Sequence, residues 1–272
     1  MAKIRTPFST SANPTSLLKT AEVENALGRT RFAIDARQGL TAILGDVGLG
    51  KTSLLRFLWA DYSTQEDCAV CMIPTADFRS PYGLIKAICA EFGISGKRSK
   101  EEQLVEFNKF VAACMKRQRN IVIFMDEAQK LDSPKLELVR TLINLEQPGE
   151  KLVQIVLAGQ LELRDMLISK ENEAIYQRLY APTLLNPLSR QDTIAMIEHR
   201  CKDAQIKNPF SEEAMQRIYE LTAGVPRRVL SLCGQTYEMF LRGRQKSIGP
   251  ELVTAVFKQG DLKGVLKDAA AA

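Results

Sequence analysis

The stretch Leu40-Thr41-Ala42-Ile43-Leu44-Gly45-Asp46-Val47-Gly48-Leu49-Gly50-Lys51-Thr52-Ser53 decides the fold. Leu40–Gly45 reads as a short apolar strand, and Gly50–Ala60 as the helix that follows it. Between them, Gly45 to Thr52 has the spacing G-x-x-x-x-G-K-T. The glycines allow a turn so tight that successive backbone N–H groups converge on one centre. The helix N-terminus adds positive potential at the same place. Such a loop cradles phosphate oxygens. Lys51 supplies a cation able to reach terminal phosphates, and the Thr52 hydroxyl supplies an oxygen ligand for a divalent metal. Gly45, Asp46, Val47, Gly48, Leu49, Gly50, Lys51, Thr52 and Ser53 are thus the candidate nucleotide contacts, with ATP and Mg²⁺ as the expected cofactors.

Outward from this loop, short apolar runs alternate with longer amphipathic stretches. Strands are expected at Cys68–Pro74, Ile121–Asp126, Val153–Gly159 and, more briefly, near Thr183–Leu185. Helices are expected at Pro81–Phe92, Glu101–Arg117, Pro134–Leu145 and near Leu161–Ser169. Ser80 is a candidate cap, with Pro81 at the first helical position. Continuous apolar strands separated by helices predict a parallel sheet covered on both faces, a three-layer α/β fold of the P-loop NTPase kind. From about Ser189 the strand signal stops. Arg190–Asp203, Ser211–Thr222, Arg227–Arg242 and Pro250–Gln259 read as helices. The expected division is an N-terminal segment (1–30), an α/β core (31–188), a helical lid (189–268) and an Ala-rich tail (269–272).

A second chemical feature closes the strand Ile121-Val122-Ile123-Phe124-Met125-Asp126-Glu127. Two carboxylates at the end of a buried strand are costly unless a cation or a polar network compensates them. In open α/β sheets, ligands bind at the carboxyl ends of the strands. Asp126 is placed to hold Mg²⁺ together with Thr52, and Glu127 to deprotonate an attacking water. A helix cap is the structural alternative for such a pair. Combined with the glycine loop, the pair points to nucleotide hydrolysis rather than binding alone.

Composition sets the outer bounds. The 272 residues carry 37 basic and 32 acidic side chains, a net +5 that permits a nucleic-acid partner without announcing one. A hydrophobic share of 45% excludes disordered and fibrous classes. No run approaches the roughly 18 apolar residues of a membrane span, and a cytoplasmic location is expected. Cys68-x-x-Cys71 lies in a strand, where positions three apart face opposite sides, so the six cysteines are read as reduced core residues.

With these motifs in place, the sequence resembles the AAA+ ATPases, and within them the ExeA-like branch that holds the transposition regulators TnsC and MuB. The resemblance covers about residues 7–260 and rests on PFSTSANPTSLL, GDVGLGKTSLLR and FMDEAQKL. It implies further roles. Gln160, after VQIVLAG, falls where the family places sensor 1; its structural alternative is a helix-start residue. Arg178, in AIYQRL, falls at the arginine finger that acts on a neighbouring subunit's ATP; its alternative is an ordinary surface arginine. Arg227, in Gly224-Val225-Pro226-Arg227, falls at sensor 2, with the adjacent Arg228 able to exchange roles. The resemblance also implies a homo-oligomer, ring or helical filament, and a transposase or target-selection protein as partner.

The basic cluster Lys97-Arg98-Ser99-Lys100 lies where the transposition branch lines a central pore. These four residues are the candidate contacts to double-stranded DNA; a solvated turn is the alternative. Lys116-Arg117-Gln118-Arg119 is read instead as a basic helix C-terminus. Aromatic interleaving of the kind used to stack single strands is missing. Three functions compete: a DNA-linked transposition regulator, an ExeA-type ATPase serving a secretion machine, and a helicase or clamp-loader ATPase. On the sequence, the chain's end near the lid, without a membrane segment, favours the first.

Overall fold

The computed structural model describes residues 7–11, 16–243 and 246–260; the Ala-rich tail and the last residues assigned to the lid lie outside them. The chain divides into two compact units. One holds Lys19–Val47 and Lys51–Leu185; the other holds the described residues up to Leu18, the loop residues Gly48–Gly50, and those from Asn186 onward.

The first unit is a parallel sheet flanked by helices. Its strands are β1 (Leu40–Leu44), β2 (Cys68–Ile73), β3 (Asn120–Met125), β6 (Val153–Gly159) and β7 (Thr183–Leu184), ordered β2-β3-β6-β1-β7. A small hairpin, β4 (Glu146–Gln147) with β5 (Glu150–Lys151), turns at Pro148-Gly149, where Gly149 takes φ +84°. Every residue of β1, β3 and β6 is buried, as strands covered on both faces require. Each buried Leu or Ile there contributes roughly 1.5–3 kcal/mol relative to exposure. Gln154 is a polar residue inside β6, and it is satisfied: its amide oxygen accepts Gly39 N–H at 2.8 Å and its nitrogen donates to Lys151 O at 2.8 Å.

The helices of this unit are α1 (Ala21–Asp35), α2 (Lys51–Ser63), α3 (Pro81–Glu91), α4 (Lys100–Lys116), α5 (Ser133–Ile143), α6 (Leu161–Leu167) and the single turn α7 (Glu173–Tyr176). Ser80 caps α3 by accepting Gly83 N–H at 3.2 Å, with Pro81 in the first turn. Helix α1 falls mostly within what the sequence shows only as an N-terminal segment. Its signals are a Thr20 cap, Glu22 and Glu24 in the first turn, and a buried face of Ala26, Leu27, Thr30, Ala33 and Ile34. Small and hydroxylated residues on that face weaken its apolar period.

The second unit contains α8 (Arg190–Asp203), α9 (Glu212–Thr222), α10 (Pro226–Arg242) and α11 (Pro250–Gln259). Ile197, Ile218, Val229, Cys233, Ile248 and Val253 form its centre. Phe8 belongs to this core, meeting the edge of Phe210 at 5.5 Å and Tyr237 at 5.9 Å between centroids. Gly224, at φ +68°, must be glycine for a second reason: a Cβ there would lie 2.1 Å from Leu188 O. The fold is thus an α/β core with a parallel sheet and a glycine-rich loop after β1, followed by C-terminal helices.

Candidate functional site

Register brings the site together. Leu44 of β1 pairs with Gly159 of β6, and Met125 of β3 pairs with Leu157 of β6. The residues following these strands therefore emerge side by side: the glycine loop after β1, Asp126-Glu127 after β3, and Gln160 after β6. β6 is flanked by β1 and β3, so its end is the centre of this row.

In the loop, Gly45, Gly48 and Gly50 take φ of +151°, +87° and +97°. At +87° and +97° an L side chain would be strained. At Gly50 no atom lies within 4 Å of where a Cβ would stand, so the glycine there answers to its backbone conformation and not to crowding. Lys51 is buried, and its ammonium donates to Gly45 O at 2.7 Å and Asp46 O at 2.8 Å. Helix α2 begins at Lys51, one residue beyond the expected start. Gly48 O accepts Arg227 N–H at 3.1 Å, and a Cβ on Gly48 would meet Arg227 Cβ and Val225 Cγ1, both at 3.1 Å.

Asp126 is only 4% exposed, so its carboxylate needs partners on both oxygens. Oδ2 accepts the Thr52 hydroxyl at 2.7 Å, and Oδ1 accepts Glu127 N–H at 2.9 Å. Hydroxyl and carboxylate together form an all-oxygen donor set of the type Mg²⁺ takes. The glycine cradle, the inward ammonium and this pair fit a Mg²⁺–nucleotide. Glu127 adopts a left-handed backbone, φ +53°, which costs a non-glycine residue about 1–2 kcal/mol. It stands at the start of the 3-10 turn Ala128–Lys130 without capping it through its side chain. Instead its Oε2 accepts Gln129 Nε2 at 2.7 Å.

Gln160 occupies the N-cap position of α6, its helix-start alternative, but its side chain makes no capping bond. Its N–H donates to Gln129 Oε1 at 3.2 Å. Sequence reasoning alone does not single out Gln129. The available signal is its place in Asp126-Glu127-Ala128-Gln129, one turn beyond the acidic pair.

Arg178 lies on the same unit, half-buried, just after α7. Its Nε donates to Asn144 Oδ1 at 3.0 Å and its Nη1 to Ala174 O at 2.6 Å. The two arginines at the start of α10 separate. Both are exposed, but Arg227 bonds Gly48 through its backbone while Arg228 lines a cleft of about 460 Å³ with Leu221, Ser231, Gln235 and Phe257.

The basic turn between α3 and α4 is held through its backbone. Gln103, fully buried on α4, accepts Lys97 N–H at 2.8 Å and donates to Ser95 O at 3.4 Å. Tyr82 O–H donates to Lys97 O, and Glu102 Oε2 accepts Arg98 N–H at 3.1 Å. Ser99 caps α4: its Oγ accepts Glu102 N–H at 3.1 Å. Lys97 is half-buried, with its ammonium 3.9 Å from Glu106, whereas Arg98 and Lys100 are exposed. At the other cluster, Arg119 donates to Cys68 O beside the sheet, and Lys116 sits in the last turn of α4. All six cysteines are buried free thiols. Burial first, then Asp67, pushes the Cys68 thiol up to about 11, and burial raises Cys71 further, so neither favours the thiolate a metal needs.

The family model for an AAA domain matches residues 34–167. The chain is 31% identical over 261 residues to general secretion pathway protein A of Aeromonas hydrophila, covering 94% of this chain and 47% of that protein. It therefore spans about half the length of that curated relative. Among solved structures, it resembles Cdc6p of Pyrobaculum aerophilum at TM-score 0.73 and 20% identity, over 96% of this chain and 73% of that one. The ORC2 protein of Aeropyrum pernix, in ADPNP–ADP complexes, follows at TM-score 0.69 and 15% identity, over 93% and 71%. At these identities the likeness is one of fold. Among the described residues, no helix is long and apolar enough to cross a membrane.

Proposed function

We propose that this chain, whose residues 34–167 match the family model for an AAA domain, hydrolyses ATP with Mg²⁺ and uses that cycle to assemble on double-stranded DNA as a homo-oligomeric ring or filament. The observation that carries the hydrolytic reading is the Thr52–Asp126 hydrogen bond of 2.7 Å, which joins the glycine loop to the strand end that bears Glu127. Thr52 and Asp126 would hold Mg²⁺, whose charge would offset that of the phosphates. The loop N–H groups and Lys51 bind and orient the phosphates. Glu127 accepts the proton of the attacking water. Gln160 reads the phosphate end. Arg227, whose backbone is bonded to Gly48, takes the sensor 2 role in preference to Arg228. Arg178, from a neighbouring copy, neutralises developing charge; its two bonds to Asn144 and Ala174 orient its guanidinium.

The DNA reading rests on the turn Lys97–Lys100. Its backbone is fixed while Arg98 and Lys100 project into solvent, the arrangement suited to tracking phosphates without reading bases. Recruitment of a transposase or target-selection protein is the role that follows from resemblance to the transposition branch. A second reading, support of a secretion machine's assembly, is favoured by the 31% identical relative, general secretion pathway protein A. Electron microscopy of the protein with duplex DNA and a slowly hydrolysed ATP analogue, beside a nucleotide-free control, separates them. Rings or filaments that need both DNA and analogue are expected. Lack of assembly, together with lack of salt-sensitive DNA binding, sinks the DNA reading and leaves the secretion role.

A further inference from the structure

Among the described residues, the hydrogen-bond donor that meets the Glu127 carboxylate is Gln129, at 2.7 Å. Asp126 meets Glu127 only at its backbone N–H and does not bond its carboxylate, since both carboxylates are acceptors. The other end of the same Gln129 amide accepts the backbone N–H of Gln160, 31 residues away in sequence. A primary amide is the side chain suited to both bonds. Glutamate has no donor, lysine no acceptor, and asparagine is one methylene shorter.

The surroundings force this bridge. Ala128 is fully buried, which fixes the turn against the sheet. Gly159 permits the close approach: a Cβ there would lie 3.2 Å from Gln129 N and 2.5 Å from Leu163 Cδ2. The left-handed backbone of Glu127 turns the chain so that residues 127 and 129 face one another, and the strain is held at the site.

We infer that Gln129 is a positioning residue. It fixes the orientation of the Glu127 carboxylate and ties it to the end of β6, so that a displacement of Gln160 is transmitted to the base. Gln129 itself makes and breaks no covalent bond and moves no proton. The inference rests on reading Glu127 as the general base.

The test uses the full chain with Gln129→Leu, which removes both bonds, and Gln129→Glu, which is nearly isosteric and keeps an acceptor for Gln160 N–H while removing the donor to Glu127. Three quantities are measured: ATP turnover, binding of a fluorescent ATP analogue, and melting temperature. Both variants are expected to lower kcat by about tenfold to a hundredfold, the range of one hydrogen bond to a charged group. Analogue binding stays within about twofold, since the loss lies in the reacting arrangement and not in ground-state affinity. Without nucleotide, the Gln129 side-chain amide protons should shift in the NMR spectrum on Glu127→Ala. Wild-type turnover in Gln129→Glu with an inactive Glu127→Gln overturns the inference alone, as does an unmoved amide signal. Wild-type turnover in Glu127→Gln overturns the base assignment, and this inference with it.

Discussion

The acidic strand end and the basic turn are built in opposite ways. At the strand end the functional side chains are themselves bonded: Thr52 to Asp126, Gln129 to Glu127, and Lys51 to backbone carbonyls of its own loop. At the turn the backbone is bonded, at Ser95 O and at the N–H groups of Lys97 and Arg98, while the Arg98 and Lys100 side chains reach solvent. Each arrangement matches a different task. Chemistry on a phosphoryl group needs preorganised side chains in a water-poor site. Sequence-independent contact with a nucleic-acid backbone needs a fixed loop and cations able to follow the phosphates.

The largest effect should come from breaking the fixed side. Glu127→Gln keeps the shape of the side chain and removes the base, so phosphate release should fall by about a hundredfold to ten-thousandfold. The variant should retain ATP and stay assembled on DNA. Turnover within about threefold of wild type would place the proton acceptor elsewhere and undo the contrast.

Breaking the other side should leave chemistry alone. Replacing Lys97, Arg98 and Lys100 together with alanine leaves up to three phosphates without a neutralising cation. The slope of log affinity against log salt should flatten by about 1–2.7, at roughly 0.9 for each such phosphate. DNA-free ATP turnover should be unchanged. A slope identical to that of wild type would move the DNA surface off this turn.

The same contrast explains what the sequence reveals. The loop and the acidic pair are legible because their chemistry demands fixed residue types at fixed spacing, within one strand–turn–helix or one strand end. Gln129 is not, because its partner Gln160 comes from another strand and meets it only through the register of β3 with β6. Arg227 and Arg228 stay unseparated in the sequence for a related reason. Neighbours on a helix point about 100° apart, and only packing around Gly48 and Gly224 sets the phase. The five main strands are visible as apolar runs, but α1 is hidden by Ala and Thr on its buried face. The β4–β5 hairpin carries a Pro148-Gly149 turn signal within strands of only two residues each.

Gln103 sharpens the comparison, because it is a buried polar side chain that serves an exposed turn. Gln103→Leu leaves Lys97 N–H and Ser95 O without their partner, at a cost of about 1–3 kcal/mol, seen as a fall of several degrees in melting temperature. DNA affinity should drop because the turn loosens. The salt slope should stay near wild type, because the cations remain. A flattened slope would show that Gln103 acts on the charges and not on the backbone that carries them.

Ser99 sits on the boundary between the two designs. The sequence offers it as a contact to DNA, and the structure commits its Oγ to accepting Glu102 N–H at the start of α4. The hydroxyl hydrogen can still be donated, so the roles are compatible and have to be separated by magnitude. Loss of a serine cap costs about 1 kcal/mol of stability. Ser99→Ala should show that loss in denaturant unfolding and shift DNA affinity by less than about twofold, since the charged neighbours supply the binding. Ser99→Asp should keep the cap, because aspartate accepts the same N–H, yet weaken DNA binding by placing a negative charge among the phosphate contacts. If Ser99→Ala instead weakened affinity about tenfold with unchanged stability, well beyond what a neutral neighbour of charged groups supplies, the hydroxyl would be a phosphate donor, and the turn would share the fixed side-chain design of the strand end.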